Sequence, residues 1–357
     1  MESKKFQYID SLRGIAVSLV ILVHVSFLYD SQVLTYLPSL VHDFFRNGQL
    51  GVQLFFIASA LTLSMSWNNR LDETKRIKKF FIRRFFRIAP LFYLAIIYFT
   101  FDVFLNFDFR NIDIGNVPLK KMLTSFLFIN GFFPTHINGY VPGGWSIAVE
   151  FMFYAIAPFL FTRIKSLNAS ISFVLFSLLI SFFVNTFVLG NLTNHSEFLY
   201  FNIISQLPVF SLGILCFWII KDDKESISKN NMILLAVTIF VFCYLTIPYH
   251  FLYSLVFAVL AIIQSKNPIK LLSNKLLAKI GKVSFSMYLV HFAILSMVER
   301  VNWIEILPAT SATSTLGYII ITYLIIFVAT FAISNLTYRF IEMPGMNLGK
   351  KVVKLVQ

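Results

Sequence analysis

Long apolar runs separated by short polar segments constrain this chain more than any other feature. Charged residues make up 13% of it and hydrophobic residues 57%, whereas a soluble domain has about 25% charged residues. A helix that crosses a bilayer needs roughly 17–25 mainly apolar residues. The sequence therefore predicts an all-α polytopic membrane protein with about ten transmembrane helices. They are expected near residues 12–29, 50–67, 88–106, 145–163, 169–189, 201–220, 231–247, 249–264, 283–299 and 315–338.

The distribution of positive charge predicts the orientation of these helices. If the N-terminus is cytoplasmic, 25 of the 30 Lys and Arg residues fall in cytoplasmic segments and 5 in outer loops, as the positive-inside rule requires. The C-terminus is then cytoplasmic as well. An eleventh run, 119–133, is interpreted as a short interfacial or re-entrant helix, because a full span there would invert everything after it. A net charge of +13 is thus explained by basic loops at a membrane, and no nucleic-acid partner is expected.

The organisation of the chain is expected to be simple. No internal repeat or soluble appendage is evident, so residues 1–357 are interpreted as a single transmembrane domain. Its first apolar run is interpreted as a membrane helix and not as a cleaved signal peptide. Cys216 and Cys243 fall in apolar runs without the spacing of a zinc site or a disulfide framework. They are expected to be small buried residues, and no metal site is expected.

Two polar residues share one face of the first predicted helix. Arg13 and His24 are separated by eleven residues, which returns a helix to within roughly 20° of its starting direction and places the two about 16 Å apart. An ionisable residue inside a membrane helix is by default a functional hypothesis. The structural alternative for His24 is a hydrogen bond to a neighbouring helix.

A basic, phenylalanine-rich segment lies between spans two and three. It contains Arg83, Arg84 and Arg87 within five residues. One interpretation is an interfacial helix held against anionic lipid. The other is a phosphate-binding patch, since guanidinium groups bind phosphate bidentately.

Further polar residues are expected inside later spans. Trp145 and Glu150 open span four, at a depth similar to that of His24, and a His–Glu pair would set the imidazole tautomer and stabilise its cation. In span nine, Ser284, Tyr288 and His291 lie on one helical face.

The last polar residues carry structural alternatives. His291 can also serve as an interhelical hydrogen-bonding residue. Arg339 and Glu342, at the end of span ten, are spaced to pair with each other.

Taken together, these motifs resemble the membrane-bound acyltransferase 3 family, the integral O-acyltransferases of bacteria. The matching motifs run in order across nearly the whole chain. They are Leu12-Arg-Gly14 with His24, Phe55-Phe-Ile-Ala-Ser59, Arg83-Arg-Phe-Phe-Arg87-Ile-Ala-Pro90, Trp145-Ser-Ile-Ala-Val-Glu150 with Tyr154, Ser286-Met-Tyr-Leu-Val-His291 and Tyr338-Arg-Phe-Ile-Glu342-Met-Pro344.

The resemblance implies ten transmembrane helices in a bacterial cytoplasmic membrane and transfer of an acyl group, commonly acetyl from acetyl-CoA. Acceptors in the family are hydroxyls of surface polysaccharide, peptidoglycan, lipid-linked sugars or small molecules. The family's arginine-to-histidine pair and arginine motif fall on Arg13, His24, Arg84 and Arg87.

The chain also departs from the family pattern. Ala60 stands where many members have Gly, and Phe151 follows Glu150 where a second carboxylate is frequent. Some members carry a C-terminal extracytoplasmic hydrolase-like domain, for which these 357 residues have no room. The chain is therefore expected to acylate its acceptor directly or to work with a separate extracytoplasmic protein.

These observations predict a mechanism. Arg13, Arg83, Arg84 and Arg87 would hold the phosphates of cytoplasmic acyl-CoA. The pantetheine arm, on the order of 15–20 Å long, would span the about 16 Å to His24. His24 would act as a general base or a transient acyl carrier, oriented by Glu150. Supporting or substrate-binding roles are expected for a further set of residues: Trp145, Ser286, Tyr288, His291, Arg339 and Glu342.

Two other classes of function compete with this one. A transporter or flippase for a glycolipid would also bury His, Glu and Arg along a pathway, but the expected repeat symmetry and matched broken helices are not evident. A structural membrane subunit would leave the Arg13–His24 spacing and the arginine cluster to coincidence.

Overall fold

The computed structural model describes residues 7–29, 34–106, 119–193, 195–221, 249–306 and 310–356, which are helical with short connections and contain no strand. The helices in these residues that are used below carry labels in chain order. They are α1 (Gln7–Ser26), α2 (Ser39–Arg46), α3 (Gly51–Asn68), α4 (Arg76–Asn106), α5 (Leu119–Phe126), α6 (Gly144–Arg163), α7 (Leu167–Phe183), α8 (Ser196–Phe201), α9 (Ile203–Lys221), α10 (Tyr249–Lys266), α11 (Lys275–Lys282), α12 (Ser284–Arg300), α13 (Ala312–Thr337) and α14 (Met343–Leu355).

Membrane-spanning helices dominate the described part of the chain. Seven helical segments are long and apolar enough to cross a bilayer, and the bent pair α11 and α12, which meet at 72°, would raise the number to eight. The seven are Gln7–Ser26, Ser39–Asn68, Gly144–Arg163, Leu167–Leu192, Ser196–Lys221, Tyr249–Lys266 and Ala312–Leu355. The protein is therefore an all-helical, multi-pass membrane protein, and an apolar segment takes this form because its backbone groups are satisfied internally.

The ten-helix topology and the cytoplasmic termini stay predictions. The predicted span 88–106 lies within α4, which is not among the seven candidates found in the described residues. The predicted span 231–247, which contains Cys243, lies outside those residues. The run 119–133 forms only the eight-residue helix α5 and short turns beyond it, in agreement with its interpretation as a non-spanning segment. Cys216 is buried, as expected.

The chain divides into two compact units. One comprises Met1–Ala58 and Ile263–Phe340, and the other Ser59–Ile262 and Ile341–Gln357. The first is called the histidine unit below because it contains His24 and His291, and the second the carboxylate unit because it contains Glu150.

The core of the histidine unit lies between α1, α11, α12 and α13. Its buried apolar residues are Val17, Ile21, Val25, Ile280, Val283, Met287, Ile294, Leu295 and Ile326. In α1 the buried positions recur at the spacing of one helical face, which places that face against α12.

Glycines allow α11 to approach α1 closely. A Cβ atom added to Gly281 would overlap the carbonyl oxygen of Asp10, and one added to Gly14 would overlap the carbonyl oxygen of Leu277. Small residues permit this backbone approach in membrane proteins. The contact holds α11 against the first turns of α1, next to Arg13.

In the carboxylate unit, α6 and α7 pack against α9. The rings of Phe153 and Phe210 stack with centroids 4.1 Å apart, and the hydroxyls of Ser177 and Ser211 lie 3.2 Å apart. The first contact fixes α6, the helix that carries Glu150, against α9.

The terminal helix α14 packs on the start of α4. A Cβ on Gly345 would approach the Pro90 ring to 2.8 Å, and one on Gly349 would approach Phe86 to 2.7 Å. Pro90 lies inside α4 without ending it, as is common in membrane helices where neighbours compensate for the lost hydrogen bond. The arginine-rich segment is thereby held in place by α14.

Candidate active site

Arg13 and His24 both lie on the uninterrupted helix α1. Eleven residues of helix rise about 16 Å, so the predicted separation along one face holds. Arg13 Nη1 lies 3.6 Å from Asp10 Oδ1, and the two side chains are 19% and 25% exposed. The carboxylate of Asp10 thus orients the guanidinium at the entry of the helix while leaving it accessible.

The tautomer of His24 follows from a single hydrogen bond. Its Nδ1 lies 2.7 Å from the carbonyl oxygen of Val20, one turn earlier in α1. Because a carbonyl oxygen only accepts, Nδ1 carries a hydrogen, and in the neutral ring Nε2 carries the lone pair. His24 is therefore presented with Nε2 available to accept a proton or an acyl group.

His291 is the direct neighbour of His24. The two ring centroids are 5.1 Å apart, with the planes inclined at 61°. His291 is fully buried, and its Nδ1 lies 3.1 Å from the carbonyl oxygen of Met287, so its Nε2 also carries the lone pair. That Nε2 has no hydrogen-bond partner among the described residues. The structure therefore joins two histidines that the sequence placed in different spans.

Aromatic rings surround this histidine pair. Phe292 contacts His24 with centroids 4.7 Å apart, and Tyr288 lies 5.8 Å from His291. Tyr288 and Ser286 are both buried in α12, on the turn that precedes His291. Of the predicted supporting residues, Tyr288 is thus in ring contact with the pair.

Glu150 lies in a hydrogen-bonded cluster of the carboxylate unit. Its Oε1 accepts hydrogen bonds from Ser59 Oγ at 2.5 Å and from the Tyr154 hydroxyl at 2.6 Å. Tyr154 stands one helical turn after Glu150 and is buried. The carboxylate is therefore held in one orientation by donors from α3 and α6.

The three arginines of α4 have different surroundings. Arg83 makes a bidentate pair with Glu73, at 2.8 and 2.7 Å. The Arg84 guanidinium lies 5.8 Å from the Phe80 ring and 6.0 Å from the Tyr154 ring. Arg84 Nε is buried, and no partner for it is found among the described residues. Arg84 therefore lies beside the Glu150 cluster, whereas Arg83 is ion-paired with Glu73 near the start of α4.

Arg87 is directed towards α14. Its Nη1 lies 3.5 Å from Met346 Sδ, which is a weak acceptor, so this contact leaves the other guanidinium donors for stronger acceptors.

The pairing of Arg83 with Glu73 has an electrostatic consequence. The hydrogen bonds from Arg83, opposed in part by burial, hold the pKa of the Glu73 carboxyl below its ordinary value. This carboxylate therefore neutralises part of the charge of the arginine-rich segment near neutral pH.

Trp145 and Phe151 take part in aromatic packing. Trp145 stacks on Phe201 with centroids 4.2 Å apart, and Phe151 stacks on Phe128 at 3.9 Å. Phe151 stands where a second carboxylate is frequent in the family. Its ring packs α6 against Phe128, one position after Glu150.

The pair expected at the end of span ten is divided between the units. Arg339 belongs to the histidine unit, is exposed and lies 5.7 Å from the Phe340 ring. Glu342 belongs to the carboxylate unit and is 1% exposed. The pairing of Arg339 with Glu342 and that of His24 with Glu150 both stay predictions.

Some contacts of the site were missed by sequence reasoning. The contact of the Val20 carbonyl with His24 Nδ1 was not expected from the sequence. The position of Glu73 ten residues before Arg83 was the available signal for the ion pair. No comparable signal exists for the His24–His291 contact, because it depends on how α1 and α12 pack.

Comparison with known proteins adds an independent finding. The pattern of the acyltransferase domain family (acyltransferase 3) matches residues 6–338. A protein of Staphylococcus aureus (strain COL) named "Putative O-acetyltransferase" is 26% identical over 98% of this chain and 59% of its own length. The peptidoglycan O-acetyltransferase OatA of Listeria monocytogenes is 24% identical over 94% of this chain and 55% of its own length.

The chain therefore spans somewhat more than half the length of these two relatives. No solved structure matches it.

Proposed function

We propose that this chain, which belongs to the membrane-bound acyltransferase 3 family, moves an acetyl group from acetyl-CoA to a hydroxyl of a cell-surface or lipid-linked saccharide in the bacterial cytoplasmic membrane. The observation that carries the proposal is the state of His24, whose Nδ1–H is engaged by Val20. The imidazole thus presents a basic nitrogen about 16 Å along the helix from Arg13. A residue with that tautomer can serve acyl transfer as a base or as a carrier.

The donor is expected to approach from the side of Arg13. Acyl-CoA is anionic and cytoplasmic, and Arg13 is partly exposed at the start of α1. One guanidinium group can bind two phosphate oxygens through two parallel hydrogen bonds. The arm of the coenzyme would then run along α1, which allows the thioester to reach His24 while the nucleotide stays at the membrane surface.

Two routes from this arrangement remain open. In the first, His24 Nε2 takes the proton of the acceptor hydroxyl as its oxygen attacks the thioester carbonyl, and the coenzyme leaves as a thiolate that is then protonated. In the second, Nε2 attacks the thioester carbonyl and the coenzyme leaves as a thiolate. The acceptor oxygen then takes the acetyl group from the acylimidazolium, Nε2 regains its lone pair, and the acceptor proton passes to the thiolate.

The carboxylate unit would serve the same reaction. Arg83, Arg84 and Arg87 are proposed to bind phosphate oxygens of the donor, and Glu150, fixed by Ser59 and Tyr154, is proposed as a catalytic residue. A transporter is not proposed, because both relatives described above are named for acetyl transfer.

Substitution of His24 tests this function directly. His24→Ala in purified, detergent-solubilised protein should lower the acetylation rate about 100-fold or more, the usual contribution of a general base. The matched control is His195→Ala, which removes an exposed histidine and should leave the rate unchanged. Retained turnover in His24→Ala would remove this residue from the chemistry.

Labelling separates the two routes. Wild-type protein is mixed with radioactive acetyl-CoA in the absence of acceptor and then denatured. Label on the wild-type protein that is lost in His24→Ala indicates the carrier route.

The acceptor is tested by offering peptidoglycan fragments and lipid-linked saccharides in separate reactions. The first is suggested by the name of the Listeria relative. Mass spectrometry of the products, and of surface glycans from a deletion strain, identifies which one gains an acetyl group.

A further inference from the structure

The carboxylate unit contains a second feature that the proposed site does not use. A cavity of about 400 Å³ lies where α3, α6 and α9 end and α4 begins. Its lining combines aromatic rings, basic side chains and a few small polar groups. The lining residues used below are Trp67, Asn68, Arg76, Lys165, Trp218 and Lys221.

The charge of this cavity is of one sign. Arg76, Lys165 and Lys221 line it, and its lining within the described residues includes no carboxylate. Cations at the C-terminal ends of helices are favoured by the helix dipole and by the positive-inside rule. The helix dipole accounts for Lys221 and Lys165, at and just after the ends of α9 and α6, but not for Arg76, which begins α4. A lining with three cations and, in the described part of the chain, no carboxylate favours an anionic ligand.

The aromatic rings of the cavity are already arranged around cations. The Arg76 guanidinium lies 3.9 Å from the Trp67 ring centroid, and Lys221 Nζ lies 4.5 Å from that of Trp218. Lys221 also donates to Asn68 Oδ1 at 3.0 Å. Indole rings stack on planar heterocycles, and cations held beside them bind phosphate oxygens. The lining therefore suits a ligand that carries both an aromatic base and phosphate groups.

An aromatic wall connects the cavity to the Glu150 cluster. Trp67, in the lining, contacts Phe80 with centroids 5.9 Å apart. Phe80 in turn lies 6.3 Å from Tyr154, whose hydroxyl donates to Glu150. Arg84 lies beside the same two rings, Phe80 and Tyr154. The cavity lining is therefore linked to Arg84 through the rings of Trp67 and Phe80.

We infer that this cavity binds the 3′-phosphorylated adenosine of the acyl donor, with the base beside Trp218 and its 3′-phosphate held by Arg76, Lys165 and Lys221, while the diphosphate is left to the arginines assigned to it above. This inference rests on the proposed function, because it assumes a coenzyme A thioester as donor. A volume of about 400 Å³ is at the lower end for small-molecule pockets. This volume is sufficient for part of the donor, and the pantetheine arm would lie outside the cavity.

The probe for the test is adenosine 3′,5′-bisphosphate, which carries the base and phosphates but no arm or acyl group. Its binding to the full-length protein in phosphatidylcholine nanodiscs is measured by calorimetry. Lys221→Ala and Trp218→Leu should each weaken binding about tenfold or more. The controls are Lys351→Ala and Phe176→Leu, which alter an exposed lysine and an exposed phenylalanine elsewhere in the unit and should bind as wild type does.

A charge-preserving variant distinguishes the loss of a binding cation from misfolding. Lys221→Arg should keep nucleotide binding, whereas Lys221→Ala should lose it at an unchanged unfolding temperature. Binding that is unaffected in both Lys221→Ala and Trp218→Leu overturns the inference. In turnover, the same two variants should raise KM for acetyl-CoA with little change in kcat, the pattern of lost ground-state binding.

An anionic lipid headgroup also carries phosphate and would bind the same basic residues. A second experiment distinguishes the lipid from the nucleotide. Nanodiscs that also contain phosphatidylglycerol are compared with phosphatidylcholine alone. If Lys221→Ala weakens phosphatidylglycerol association but leaves nucleotide binding intact, the cavity is a lipid site and the inference is wrong. Nucleotide binding that is sensitive to Lys221 in both membranes supports it.

Failure of the inference and failure of the proposed function are distinguishable, because nucleotide binding is measured without transfer. If the wild-type protein acetylates an acceptor, and Lys221→Ala and Trp218→Leu bind the bisphosphate and react as wild type does, only the inference about the cavity is wrong. Protein that binds the bisphosphate through Lys221 but transfers no acetyl group refutes the proposed function and supports a nucleotide site.

Discussion

The ring of His24 lies 5.1 Å from the ring of His291, centroid to centroid. Each imidazole donates its Nδ1–H to the carbonyl one turn earlier in its own helix, so both present Nε2 as the atom with the lone pair. Two neutral imidazoles in contact can stabilise a charge that develops on either of them. The pair is therefore a more complete candidate site than His24 by itself.

The first prediction concerns His291. His291→Phe retains a ring of similar size against His24 but removes the nitrogen, so kcat should fall about 100-fold if that nitrogen takes part in proton transfer. Steady-state acetylation kinetics measure the effect. The matched control is His250→Phe, a buried histidine bonded to the carbonyl of Ser205 in the carboxylate unit, which should retain activity. Full activity in His291→Phe would reduce the role of His291 to packing.

The second prediction concerns the donors to Glu150. Ser59 and Tyr154 converge on the same carboxylate oxygen, so Ser59→Ala and Tyr154→Phe should each lower kcat. The double variant should lose less than the product of the two single effects, since groups in one network are coupled by about 0.5–3 kcal/mol. A double-mutant cycle on the transfer rate measures this coupling. Strictly multiplicative losses would show that the two hydroxyls act independently.

The third prediction concerns Gly281. Gly281→Ala places a methyl group on the carbonyl of Asp10 and must separate α11 from α1, which should cost about 1–3 kcal/mol of stability, as overpacking does. Gly317→Ala is the control, because nothing lies within 4 Å of the added atom. Alanine there should be neutral or slightly stabilising in a helix. Thermal unfolding in detergent compares the two, and equal unfolding temperatures would contradict the close approach.

The fourth prediction concerns the ion pair of Glu73 with Arg83. Because Arg83 lowers the pKa of Glu73 from its ordinary value of 4.5, the pair stabilises the fold above that value. The contribution is lost as the pH falls through the lowered pKa. Glu73→Gln should therefore destabilise the protein by about 1 kcal/mol near pH 7, and the difference from wild type should shrink below about pH 4. Unfolding curves at both pH values test this, and a difference that is independent of pH would refute it.

The membrane class of the protein was predictable from the sequence because it depends on local composition. An apolar run of sufficient length forms a helix in a bilayer whichever partners it meets, and seven of the expected spans coincide with candidate membrane helices in the described residues. The spacing of Arg13 and His24 was predictable for the same reason, since both lie on one unbroken helix.

The partners of these residues depended on tertiary packing. His291 stands 267 positions after His24 in the chain, and no periodicity links them. Their contact exists because α12 packs on α1 within the core that also contains α11 and α13. The cavity lined by Trp67, Arg76 and Lys221 likewise brings together the ends of separate helices.

The sequence by itself thus determined the helical membrane class, the acyltransferase motifs and the Arg13–His24 spacing, since each is read along one stretch of chain. Only the tertiary structure decided that His24 lies beside His291, that Ser59 donates to Glu150, and that Arg84 lies beside Tyr154. The physical reason is that burial and hydrogen bonding between helices depend on side-chain shape at each helix contact. That information is distributed over residues far apart in the chain.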